Sequence, residues 1–358
     1  TSTYNSSFNV GKIYRLEEGN WSSFVGANSP VLNGSYDIST IKIHPSNPSD
    51  VYFGSFGTGL YRYNGKTPFI KYDESNSSLT QRQDVVWDWT GVAGIDFDEN
   101  ENLWLTNSYT STCLKARVNG NWLSFDLSRE VAKGTASTQL IVAQNGYKWI
   151  VLPRDNAIVV YDDKGTITNS SDDRYIKLNS EEGKGNIPGI VGITIEEDKK
   201  GQIWVGTTDG IAVFFNPDNI FEVGSRDAQR VLLEGDENVE VLLAGTTIKD
   251  IAIDGANRKW IATEQAGVYL VSEDGTETIH HFTTENSPLF SNTVLTIAVD
   301  DLSGEVYFGT SNGIISYKGT ATEGKENFSK VIVFPNPVRE TYTGPIAISG
   351  LMDNSTCL

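Results

Sequence analysis

Six copies of one short β-rich phrase recur along the chain, centred on Tyr52, Trp104, Trp149, Trp204, Trp260 and Tyr307. Successive centres lie 52, 45, 55, 56 and 47 residues apart. In each copy an alternating apolar run ends at an acidic or turn residue, an aromatic-centred run follows, and a Gly turn leads into a third strand. The sharpest copy is Ile203-Trp204-Val205-Gly206-Thr207-Thr208-Asp209-Gly210-Ile211. A period of about 40–50 residues is that of propeller blades, units that bury an apolar face only by stacking on a neighbour. A repeat of this kind overrides the expectation of about two domains that 358 residues alone would raise.

The inner strands read Ile41-Lys42-Ile43, Ile95-Asp96-Phe97, Leu140-Ile141-Val142, Ile193-Thr194-Ile195, Ile251-Ala252-Ile253 and Ile297-Ala298-Val299, the two-residue period of a strand with one buried face. Turns rich in Asp, Asn and Gly follow, such as Asp98-Glu99-Asn100 and Asp254-Gly255-Ala256-Asn257. Third strands end in apolar or aromatic pairs, and weaker fourth strands include Trp122-Leu123-Ser124-Phe125 and Ile279-His280-His281-Phe282. Four antiparallel strands per repeat make a blade. Near the amino terminus, Lys12 to Leu16 and Trp21 to Phe24 read as the third and fourth strands of a partial further repeat. The sequence therefore predicts an all-β propeller over residues 1–320, with seven blades as first choice and six as second. Residues 218–246 read as an insertion with extra or elongated strands at Arg230 to Leu233 and Val239 to Leu243. A polar linker over 321–343 leads to the truncated first strand of a β-sandwich domain at 344–358.

Composition narrows the function classes. The net charge of −18 opposes nucleic acid, because phosphate neutralisation needs clustered Lys and Arg. The same charge opposes adhesion to an anionic membrane, and no run of about 18 apolar residues suits insertion into one. Cys113 and Cys357 are the two cysteines, and their spacing leaves open whether they pair.

The run at 203–211 resembles the regulator-propeller repeat of sensory ectodomains in Bacteroidetes two-component systems. The tail Phe334-Pro335-Asn336-Pro337-Val338-Arg339, with Tyr342-Thr343-Gly344-Pro345-Ile346 and Ser349-Gly350-Leu351, resembles the opening of the carboxy-terminal domain of type IX secretion proteins. Propeller repeats followed by this tail are most similar to the PorZ family of type IX sortase accessory proteins. That resemblance implies a secreted, non-catalytic protein on the outer-membrane surface, this chain being its second propeller and the start of its β-sandwich. It implies partners in the secretion or sortase machinery, with binding of lipopolysaccharide or another oligosaccharide as a further role and no cofactor. The alternative is a periplasmic, oligosaccharide-sensing propeller of a hybrid two-component regulator.

Chemistry-bearing residues are few. His44, His280 and His281 have no nucleophile partner at recognisable spacing and read as structural. Asp98, Asn100 and Asn102 alternate as in a calcium loop but lack its central Gly and distal Glu, so a plain turn accounts for them equally. No other metal site is expected. The mid-blade Trp104, Trp149, Trp204 and Trp260 read as core. Trp87 and Trp89 sit instead in a connection between blades, on the face shared by the loops bearing Tyr109, Arg154, Asp155, Asp209, Glu264 and Gln265. Aromatic plates beside hydrogen-bonding groups suit sugar rings or a protein partner, and packing beneath a long loop is the competing reading.

Overall fold

The computed structural model describes residues 7–17, 19–66, 68–189, 194–233 and 240–323, then 332–334, 337, 342–343 and 347–349. Two compact units are present: residues 1–231 with 241–248, and residues 232–240 with 249–358.

The first unit opens with a hairpin, Ile13–Glu17 against Asn20–Phe24. Three four-stranded sets follow: Ile38–His44, Asn47–Gly57, Gly59–Tyr63, Ile70–Tyr72; then Thr90–Phe97, Leu103–Asn107, Leu114–Val118, Asn121–Phe125; then Leu140–Val142, Lys148–Leu152, Ala157–Asp162, Arg174–Leu178. A three-stranded sheet, Thr194–Glu197, Ile203–Thr207 and Gly210–Phe214, comes next. All are antiparallel meanders, and the first two sets are joined by Phe56 and Gly57 pairing with Gly91 and Thr90. Ile248–Ile253, Lys259–Thr263, Val268–Val271 and Thr278–Phe282 form one further sheet, in the second unit from Lys249 onward, and Val294–Asp300, Glu305–Thr310 and Gly313–Lys318 of that unit form another.

Alternation within a strand explains how these sheets stack. Trp149 and Val151 join a core with Ile195, Ile203, Val205 and Phe214 of the next sheet. Their neighbours Ile150 and Leu152 point the other way, into a core with Trp104, Leu114, Ala116 and Phe125 of the preceding sheet. A strand that is apolar on both faces is what a sheet sandwiched between two others requires. Trp104, Trp149, Trp204 and Trp260 all have no exposed surface.

Inner strands leave backbone groups unpaired along their free edges, and side chains of adjacent sheets satisfy them. Asp96 accepts the Val142 amide at 2.8 Å. The Gln139 side chain bridges Ile195, donating to its carbonyl at 3.0 Å and accepting its amide at 2.9 Å. Within the second unit Asp250 accepts the Ile297 amide at 2.8 Å. Pairing these edges also removes a template for aggregation.

The turn after four of the inner strands has one construction. In the copies starting at Asp98, Ala143, Asp198 and Asp254, the first amide bonds the fifth carbonyl and the fourth amide bonds the first carbonyl. The fourth residue is left-handed each time: Glu101 (φ 60), Gly146 (φ 83), Gly201 (φ 75) and Asn257 (φ 58). Gly, Asn and short-range hydrogen bonding favour that conformation.

Among the described residues of the insertion, Leu232–Leu233 and Glu240–Val241 are extended, with the Val231 carbonyl accepting the Leu242 amide at 2.9 Å. Farther on, Ile332–Phe334 pairs antiparallel with Ala347–Ser349. Ile193, Val239, Pro335, Asn336, Gly344 to Ile346 and Cys357 lie outside the described residues, and with them most of the tail motif and the 344–358 strand assignment. Among the described residues, no helix is long and apolar enough to cross a membrane.

Candidate ligand pocket

In the first unit, the connection 73–89 and the loop 108–113 enclose a pocket of about 500 Å³. Thr80, Gln81, Gln83, Asp84, Tyr109, Thr110, Ser111, Thr112, Lys133 and Gly134 line it. The long connection is held by Asn107, which is fully buried at a strand end. Its side-chain oxygen accepts the Thr80 amide at 2.8 Å, and its amide group donates to the carbonyls of Thr80 and Gly91, each at 3.2 Å. Without those bonds the connection would carry buried unpaired backbone groups.

Tyr109 organises the wall. Its backbone is left-handed (φ 62), and its amide bonds the Thr135 carbonyl at 3.0 Å. The ring meets Trp89 edge-to-face at 5.1 Å, and Trp89 meets Phe56 edge-to-face at 5.0 Å. The Arg82 guanidinium lies 3.9 Å from the Tyr109 ring centroid and that of Arg154 lies 5.3 Å away. Such stacking of guanidinium on a phenol fixes both partners at small entropic cost. Burial raises the Tyr109 phenol above its ordinary range, and the two arginines act in the opposite direction. Asp84 holds Arg82 through a two-pronged ion pair, 2.5 and 2.8 Å.

The structure thus brings together Trp89, Tyr109 and Arg154 from the sequence-derived set and adds Arg82, which no spacing singled out. Trp89 is a correction: at 3% exposure it packs beneath the loop and offers no plate to a ligand. Trp87 stays 52% exposed beside a fully solvated Val86. Asp155 pairs with Lys177, whose Nζ donates to its carboxylate at 2.6 Å. Asp209 is tied to the insertion: its carboxylate accepts the Gly245 amide at 2.7 Å and Arg230 at 3.2 Å, and both hold it below the usual carboxylate range. Glu264 and Gln265 belong to the second unit, where both are exposed and Glu264 lies 3.8 Å from Lys249.

The calcium reading of Asp98, Asn100 and Asn102 is also corrected. One Asp98 oxygen accepts the amides of Asn100 and Asn102, and the other accepts the Asn102 side chain and the Trp104 indole at 3.0 and 2.8 Å. Four donors occupy the lone pairs a cation would need. The histidines behave as structural groups: His281 bonds the Ala266 carbonyl at 2.8 Å and stacks on Tyr269, while His44 packs on Phe97.

No family model matches the chain. Among solved structures, PorZ of Porphyromonas gingivalis, an essential bacterial surface component of the type-IX secretion system, aligns with a TM-score of 0.75 at 26% identity. The chain is an all-β propeller similar to PorZ. The alignment covers 98% of this chain and 51% of the PorZ chain, so the protein spans about half the length of that structure. A streptogramin B lyase shares the fold alone, with a TM-score of 0.58, 13% identity and 86% of each chain covered. A stretch of 105 residues is 28% identical to histidine kinase P4 of Formosa agariphila, amounting to 28% of this chain and 7% of the kinase.

Proposed function

We propose that this propeller is a non-catalytic component of the bacterial surface that assists type IX protein secretion, binding a protein partner or a surface glycan through the pocket at Tyr109. The observation that carries the reading is the likeness to PorZ along nearly the whole chain. The pocket itself favours binding over catalysis. Its wall presents hydroxyls, amides and an aromatic ring, its acid Asp84 is already paired with Arg82, and Asp155 is paired with Lys177. General acid–base work needs a titratable group aimed at the substrate, which an ion-paired carboxylate is not. A surface location follows from the same likeness and stands with the proposal.

Deleting the gene in its host tests the role directly. Loss of type IX cargo from the cell surface, restored by the wild-type gene and not by a Tyr109→Ala, Arg154→Ala double variant, is the expected result. Normal cargo display after deletion would overturn it. The similarity to a histidine kinase over 105 residues supports a second reading, an oligosaccharide-sensing propeller, for which deletion would abolish a transcriptional response and leave cargo display intact.

A further inference from the structure

Behind the pocket wall lies a buried cation with no carboxylate partner among the described residues. Lys115 is 1% exposed. Its Nζ donates to Thr112 Oγ1 at 3.0 Å and Ser124 Oγ at 2.9 Å. Thr112 Oγ1 lies 3.0 Å from Thr110 Oγ1, which accepts the Thr112 amide at 3.0 Å. Both threonines line the pocket. Whichever hydroxyl of the pair donates to the other, one hydroxyl proton remains over. An ammonium at the head of such a chain polarises it, so that this proton is a strengthened donor facing the pocket.

The surroundings are cationic on a protein whose net charge is −18. Lys133 lines the pocket and Arg154 stands over Tyr109, while Asp84 and Asp155 are neutralised by Arg82 and Lys177. At physiological salt, charges farther away than about 8 Å are largely screened, so the local balance decides what enters. The wall has no helix N-terminus or run of converging backbone amides, the arrangement phosphate prefers. Single hydroxyl donors that share a pocket with the Lys133 ammonium match a carboxylate.

We propose that this pocket binds a small organic carboxylate, a sugar acid or a short dicarboxylate, with the Lys115–Thr112–Thr110 chain contacting its anionic end. The inference rests on the pocket being the binding site described above. Isothermal titration of the full chain with galacturonate, its methyl ester, galactose and succinate tests it. Galacturonate or succinate should bind at least about tenfold more tightly than galactose and the ester, and the one that binds identifies the source of the carboxylate. Lys115→Met and Thr112→Val, both checked for a native fold by circular dichroism, should each remove most of that preference. Equal binding of acid and ester, or an undiminished preference in both variants, would overturn the proposal. If Tyr109→Ala then abolished binding of acid and ester alike, the pocket reading would survive without it. No binding by any of the four compounds would overturn the carboxylate proposal and leave the pocket to a protein partner, which the deletion and complementation experiment tests.

Discussion

Trp149 carries its indole N–H over a turn that begins with Ala143, six residues earlier, where the equivalent turns of Trp104 and Trp204 begin with Asp98 and Asp198. Those two carboxylates accept the indole at 2.8 and 3.2 Å, whereas the buried Trp149 Nε1 has no partner among the described residues. Trp260 is orphaned differently: Asp254 is present, but Arg258 takes its outer oxygen at 2.8 Å. A buried donor without an acceptor costs about 1–3 kcal/mol.

Ala143→Asp should therefore stabilise the protein, by about 1 kcal/mol, since the turn already has the backbone form that Asp98 and Asp198 cap. Asp98→Ala should cost about 2 kcal/mol, for it strips the Trp104 indole and two turn amides together. Urea unfolding of the two variants measures both signs. Destabilisation by Ala143→Asp would show that the carboxylate does not reach the indole.

Lys115 sets a slope at alkaline pH. Burial lowers its pKa from 10.5 to about 8. Between those values the unfolded chain holds the proton and the folded protein has released it, so unfolding takes up a proton and stability rises with pH. Lys115→Met should raise stability at pH 7 by about 2 kcal/mol and flatten the rise between pH 8 and 10. Thermal melts across that range read the difference.

Glu197 acts in the opposite direction in a lower window. Burial raises its pKa from 4.5 to about 7, with the Gln144 amide pulling against that shift. The folded protein then keeps a proton the unfolded chain loses, and its contribution to stability declines as pH rises from about 4.5 through 7. Glu197→Gln keeps an acceptor for Gln144 and removes the charge. It should gain about 1 kcal/mol at pH 8, a figure reduced for the part-exposed position, and almost nothing at pH 4.5. An equal gain at both pH values would point to packing instead.

Gly94, in the inner strand Thr90–Phe97, lies against the backbone of residues 138–140, where the next inner strand begins. A Cβ there would sit 2.4 Å from the Thr138 carbonyl oxygen and 2.6 Å from the Leu140 amide nitrogen. Gly94→Ala should cost about 2–3 kcal/mol by pushing the strands apart, and it should also loosen the Asp96 bond to Val142. Hydrogen exchange at Val142 checks the second effect.

The blade repeat, its inner strands, its turns and the core role of Trp104, Trp149, Trp204 and Trp260 were all readable in the sequence. Each depends on contacts within a few residues or on alternation along one strand, and both leave a periodic trace. The loops bearing Tyr109 and Arg154 were readable as candidates for the same reason, by their place in the repeat. The split between Trp87 and Trp89 was not, because two residues of identical type in one connection differ only in what folds over them. Arg82 stacks on Tyr109 from 27 positions away, and Asn107 clamps Thr80 across the same gap. Sequence alone determined that sheets of one pattern would stack face to face. Tertiary structure decided which loops close over a pocket, and it placed the Lys115 ammonium behind two threonine hydroxyls. Desolvation and charge balance depend on the whole surrounding shell, which no local pattern encodes.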